Sequence, residues 1–187
     1  MNNVMIVMAL PMEGKDFFKD VDVVYTGVGK VNAAYQLTKA ISKRKPDIVI
    51  NLGSAGSHIY ETGTVVCCEK FIQRDMNATP LGFSQFQTPF EDSITINHGK
   101  KLMVYPFAIC GTGDSFDINA NSSDFDISDM EAYALAKICK SESLTFICVK
   151  FISDGANHRS HEEWEPALLD GSAKLRKAYD IIMSKLE

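Results

Sequence analysis

Short apolar runs alternate along this chain with longer stretches whose apolar residues recur at helical spacing, and each run stops at small or polar residues. Apolar runs bounded by turn residues read as buried strands. On that pattern Val4 to Leu10, Val21 to Tyr25, "DIVINLGSAGS", Val65 to Phe71, Leu102 to Ile109 and "LTFICVKFISD" are strands. Met12 to Phe18 opens a helix between the first two. "GVGKVNAAYQLTKAISKRKP" carries Val31, Ala34, Leu37, Thr38 and Ile41 at helical spacing, with Pro46 just past the end. "DISDMEAYALAKICKSES" places Ile127, Met130, Ala134, Leu135 and Ile138 along one helix face, and a final helix carries Leu168, Leu169, Leu175, Ile181, Ile182 and Leu186. Strands alternating with helices predict an α/β fold, a mainly parallel sheet covered on both faces.

A chain of 187 residues is expected to form one domain, residues 1–187, and to bury about 70% of its unfolded surface without disulfides or metal. The net charge of -5 is spread along the sequence, which argues against nucleic acid and anionic membranes as partners. Val4 to Leu10 is too short for a signal-peptide core and no run reaches spanning length, so a cytoplasmic protein is expected. Cys67, Cys68, Cys110, Cys139 and Cys148 form no C-x-x-C pair and read as reduced, mostly buried thiols. His158 and His161 lack a third zinc ligand nearby in sequence. "DINANSSDFDIS", Asp117 to Ser128, begins like a calcium loop but has Ser122 and Ser128 where the turn glycine and the bidentate glutamate belong, so an exposed polar loop is expected. Neither cofactor nor metal is called for.

The chemistry gathers where the runs end. "ALPMEG", "TGVGK", "NLGSAGS", "CGTGDSF" and "FISDGAN" each put glycines or polar residues at a strand terminus, where open α/β sheets bind ligands. Asp154 would stand at the carboxyl end of a central strand, either touching substrate or closing the strand as a turn acid. "TGVGKVNAA" has Asn32 where a dinucleotide fingerprint has its third glycine, and no P-loop is present.

The ordered set "ALPMEG", "TGVGKVNAA", "INLGSAGS", "RDMNATPLGF", "GTGDSF", "DMEAYALA" and "FISDGAN" resembles the purine and uridine phosphorylase superfamily, most closely the 5'-methylthioadenosine/S-adenosylhomocysteine nucleosidases. The resemblance covers nearly the whole chain and implies a nucleoside phosphorylase-like, single-domain three-layer sandwich. The implied reaction hydrolyses the N-glycosidic bond of 5'-substituted adenine nucleosides through an oxocarbenium-like sugar. Asp154 matches the general acid at N7 of adenine, a role that asks for a raised pKa. Glu13 matches the carboxylate that activates water, with Ser54 helping to hold it, and Glu131 matches the carboxylate that grips the ribose hydroxyls. Phe116 matches the aromatic that stacks on the base, Met130 packs beside the sugar, and Ala55, Gly56, Asp117, Lys150 and Ser153 complete the implied substrate contacts. Ala78, Pro80 and Leu81 would reach the 5' pocket of a partner subunit in a homodimer.

Three departures stand out against the resemblance. The family's hairpin between "MEGKDFF" and "VDVVYTGVGK" is missing and Phe83 to Met103 is cut down, which predicts a sheet trimmed on one side. Lys150 replaces an arginine, keeping the charge but losing the planar fork. Ala132 and Tyr133 replace glycine and alanine. Two alternatives stay open, a purine nucleoside phosphorylase and a degenerate nucleoside-binding protein. Phosphate would have to share the end of the first strand with the Glu13 carboxylate, which counts against the first.

Overall fold

A computed structural model describes residues 3–116, 123–157 and 160–186. The first strand, β1 (Val4–Met8), runs parallel to β2 (Val23–Tyr25) and to β3 (Ile48–Gly56). On its other side β3 pairs in parallel with β8 (Thr145–Asp154), which turns antiparallel to β4 (Val65–Gln73). β4 holds β5 (Thr95–Asn97) antiparallel and β6 (Phe107–Thr112) parallel. β7 (Ile127–Asp129) runs parallel to β6 and meets β3 at Gly56 and Ser128, closing a hydrogen-bonded circuit through β3, β8, β4, β6 and β7. The sheet is therefore mixed and mainly parallel.

Alternation along the strands sorts side chains between two cores. Met5, Val7 and Val49 face α2 (Lys30–Lys43) and α3 (Ala132–Ser141), while Ile6, Met8, Ile48 and Ile50 face α4 (Ser160–Ser184). With both faces covered the strands are continuously apolar, which is why they stand out in the sequence. The arrangement is a three-layer sandwich. In α2 the buried stripe is Ala33, Leu37 and Ile41; Leu37 and Ile41 belong to the expected face, whereas Val31 is 78% exposed. Spacing of four residues joins the buried positions. In α4 the buried stripe is Leu168, Ser172, Leu175, Ala178 and Ile182, and Gly171 lets the helix come close to β8, since a Cβ there would lie 2.8 Å from the Phe151 ring.

Four local expectations need correction. Met12 to Phe18 is a single helical turn, α1 (Pro11–Gly14), followed by a 3-10 turn, Lys15–Phe18. Pro11 fits the first helical position, and the Leu10 N–H donates to the Glu13 carboxylate at 3.1 Å, so α1 is set by its cap. The predicted strand from Leu102 begins only at Phe107, after Pro106, and continues through Gly111 and Thr112. The predicted helix across Ile127 starts at Ala132, because residues 127–129 gain more from pairing with β6 and β3 than from one helical turn. For the same reason the described end of the expected polar loop is not exposed: Phe125, Ile127 and Ser128 are buried. Between the 3-10 turn and β2 the chain passes directly over residues 19–22, with no hairpin among them.

All five cysteines are buried. Burial pushes the Cys67 and Cys139 thiols up to about 12, which makes them poor nucleophiles. Among the described residues no group of three or more histidine, cysteine or acidic side chains could hold a metal, and no helix is long and apolar enough to cross a membrane. His158 and the side chain of His161 lie outside the described residues.

Candidate active site

Residues at or just past the carboxyl ends of β1, β3, β4, β6, β7 and β8 enclose a cavity of about 230 Å³. Glu13, Ser54, Ala55, Gly56, Phe116, Met130, Glu131, Ser153 and Asp154 all line it. Thus the residues gathered from separate stretches of sequence share one space. Asp117 lies outside the described residues.

Glu13 reaches the cavity because α1 turns the chain back immediately after β1. Its Oε1 accepts from the Ser54 N–H at 2.8 Å and the Ser54 hydroxyl at 2.9 Å, so the carboxylate is fixed although it is 5% exposed. Gly53 leaves room for this: a Cβ there would lie 3.2 Å from Glu13 Oε1 and 3.3 Å from Lys150 Nζ. At the end of β8, Asp154 Oδ1 accepts from the Ala156 N–H at 2.9 Å and Oδ2 from the Ser153 hydroxyl at 2.7 Å. A Cβ on Gly56 would stand 2.7 Å from that Oδ1. The "GSAG" end of β3 is therefore shaped around two acids. Phe116 is 46% exposed at the cavity and is no core aromatic.

Glu131 begins α3, and its Oε1 accepts from the Gly29 N–H at 2.9 Å. Burial, then the Asp129 carboxylate, push its pKa up to about 7, against the opposing pull of Lys150. An unfolded glutamate ionises near 4.5, so between that value and about 7 the folded state holds a proton that the unfolded state has released. Stability is expected to fall as pH rises through this window, by about 3 kcal/mol, and to level off above it. Glu131→Gln should flatten that slope in denaturant melts between pH 5 and pH 8, and an unchanged slope would assign it to other groups.

Lys150 does not line the cavity. It is 2% exposed, beneath the site, and its Nζ lies 2.8 Å from Asp129 Oδ2. Burial disfavours its charge, but Asp129 and Glu131 outweigh that and hold its pKa well above the usual lysine value. Burial alone would instead raise the Asp129 pKa. The Lys150 ammonium, the Thr112 hydroxyl at 2.6 Å and the Ala132 N–H at 2.9 Å keep it below the usual carboxylate range. Asp129, Arg74 and Trp164 line the cavity and were missed in the sequence. Reading residues 127–129 as a strand would have put Asp129 at a strand end, whereas Trp164 gave no signal beyond being the chain's one tryptophan. Ala78, Pro80 and Leu81 do not line this cavity: Ala78 is buried, and Leu81, in the 3-10 turn Thr79–Leu81, is 76% exposed.

A sheet that brings four buried carboxylates, Glu13, Asp129, Glu131 and Asp154, to one cavity at its strand ends defines an enzyme acting on a small molecule. A family model described as the phosphorylase superfamily matches residues 13–112. A 5'-methylthioadenosine/S-adenosylhomocysteine nucleosidase of Haemophilus influenzae (strain PittEE) is 31% identical over 91% of this chain and 85% of its own length. One of the same name from Bacillus subtilis (strain 168) is 29% identical over 80% of this chain and 74% of its own. The chain therefore belongs to the phosphorylase superfamily and, within it, to the family of these nucleosidases. Solved structures share the fold. A mutant nucleosidase from Helicobacter pylori with 5'-methylthioadenosine in its active site superposes with a TM-score of 0.85 at 16% identity, covering 95% of this chain and 97% of that one. A mutant futalosine hydrolase of Helicobacter pylori strain 26695 gives 0.83 at 16% identity with the same coverage.

Proposed function

We propose that the protein hydrolyses the N-glycosidic bond of 5'-substituted adenine nucleosides and releases adenine. The observation that carries this reading is the joining of Glu13, Glu131 and Asp154, from three separate strand ends, around one cavity. Glycosidic cleavage needs a proton at the leaving base, a base for the attacking water and a clamp on the sugar. Asp154 protonates N7 and accepts from the exocyclic amine. Glu13, held by Ser54, takes the proton of the attacking water on the other side of the sugar. Glu131 accepts from the ribose hydroxyls, Met130 packs on the sugar, and Phe116 stacks on the base; Asp117 is proposed as a substrate contact from the resemblance alone.

Acidic surroundings favour the positive charge that develops on the sugar and disfavour phosphate. Lys150 is neutralised by Asp129 and lies beneath the cavity, so it offers phosphate no bare cation. Incubating purified protein with 5'-methylthioadenosine, S-adenosylhomocysteine and aminodeoxyfutalosine, with and without phosphate, and quantifying adenine tests the reading. Release that requires phosphate would replace it with phosphorolysis, and no release would favour a nucleoside-binding protein.

The buried thiols and the family membership support a reducing, cytoplasmic setting. The same family places its 5' pocket at a subunit contact, and the exposed Leu81 and the 93% exposed Phe90 give a second copy an apolar surface to cover. Leu81→Asp should weaken association and raise KM for thio-substituted nucleosides together. Sedimentation at micromolar concentration alongside kinetics decides this, and a fully active wild-type monomer would sink it.

A further inference from the structure

We propose that Trp164 is a positioning residue for the hydrolytic water, acting through Ser54 on Glu13; the inference rests on the hydrolase reading above. The indole Nε1–H donates to the Ser54 hydroxyl at 2.9 Å, and that hydroxyl lies 2.9 Å from Glu13 Oε1. An indole nitrogen donates and cannot accept, and a serine hydroxyl has one proton to give. The Ser54 proton therefore points at Glu13, the acceptor of its two partners, while the indole N–H takes a lone pair of the same oxygen and holds it in place. Oε1 also holds the Ser54 N–H, and Oε2 the Leu10 N–H, so the carboxylate plane is fixed on three sides.

A second contact from the same helix reaches the same glutamate. Ser172, two turns beyond Trp164 on α4, is fully buried, and its hydroxyl shares its one proton between the Glu13 carbonyl at 2.7 Å and the Leu168 carbonyl at 2.6 Å. One helix thus grips the Glu13 backbone through Ser172 and its carboxylate through Trp164 and Ser54. Water attack needs the base oxygen held within a fraction of an ångström of its working place, so loosening this relay should cost turnover more than ground-state binding.

Trp164→Phe keeps an aromatic wall on the cavity and deletes the donor. Expected is a kcat lower by about 2- to 10-fold, the size of one hydrogen bond, with KM within about 2-fold of wild type. In a Ser54→Ala background the same change should add nothing, because the relay is already broken. Calorimetry gives an arm that needs no turnover, using two adenine-bearing 5'-thioether ligands, one with a cationic pyrrolidine in place of the ribose and one neutral. Trp164→Phe should weaken the cation by the same factor and leave the neutral ligand unchanged; Ser54→Ala, which leaves the sequence of α4 intact, should give the same pattern if the α4 variant folds poorly. An unchanged kcat, effects that add in the double variant, or equal weakening of both ligands would overturn the proposal. A wild type that binds the cation but releases no adenine would remove the hydrolase reading while the calorimetric arm still decides this one.

Discussion

Asp154→Asn is expected to release adenine about 10² to 10⁴ times more slowly than the wild type, the range attached to a lost general acid. The fold should survive. Asp154 accepts from the Ala156 N–H and from the Ser153 hydroxyl, and an asparagine oxygen can keep the first while its amino group faces a hydroxyl that can turn to accept. What the amide cannot do is give a proton to N7. The variant's thermal midpoint should stay close to that of the wild type while single-turnover adenine release collapses. A variant that kept more than about half of wild-type turnover would take Asp154 out of the acid role and leave it the turn acid that closes β8.

The layers of the fold were legible because β1, β3 and β8 are buried on both faces and stop at turn residues, so their length and composition alone mark them. The elements that were misplaced owe their structure to distant partners. Residues 127–129 carry a helical spacing of Ile127, Met130 and Ala134, yet pair with β6 and β3. β5 has three residues, too few to show a period. β6 runs through a glycine that reads locally as a turn; in the fold a Cβ on Gly111 would meet the Phe125 ring at 2.5 Å. Tertiary packing won each time over local pattern.

The site was legible in a different way. Periodicity put Glu13, Ser54 and Asp154 at strand ends, but their roles came from the resemblance and not from spacing. Glu131 was picked out by the resemblance alone, and the structure buries it with its carboxylate against the Gly29 N–H. Lys150 read as a substrate contact, and the pattern of β8 could not reveal that its side chain turns under the cavity to Asp129. Such pairings join residues that lie 21 apart in sequence and meet only across the β-circuit, so no local rule finds them.

Lys150→Met is expected to destabilise the protein by about 3–5 kcal/mol, because removing one partner of a buried pair leaves the other charge without compensation. For a chain of this size that corresponds to a thermal midpoint lower by roughly 6–20 °C. Both side chains of the pair are almost fully buried, so solvent cannot take the place of the ammonium beside Asp129. Adding Asp129→Asn should recover part of the loss, since the stranded charge is then gone while an amide oxygen can still accept from Thr112 or Ala132. The same substitution reaches the cavity through Glu131. Lys150 is one of the groups that holds the Glu131 pKa down, so without it that carboxyl should ionise above about 7 and the pH window of falling stability should move upward. A Lys150→Met protein within about 1 kcal/mol of the wild type, with its pH profile unmoved, would show that the pair contributes neither stability nor tuning.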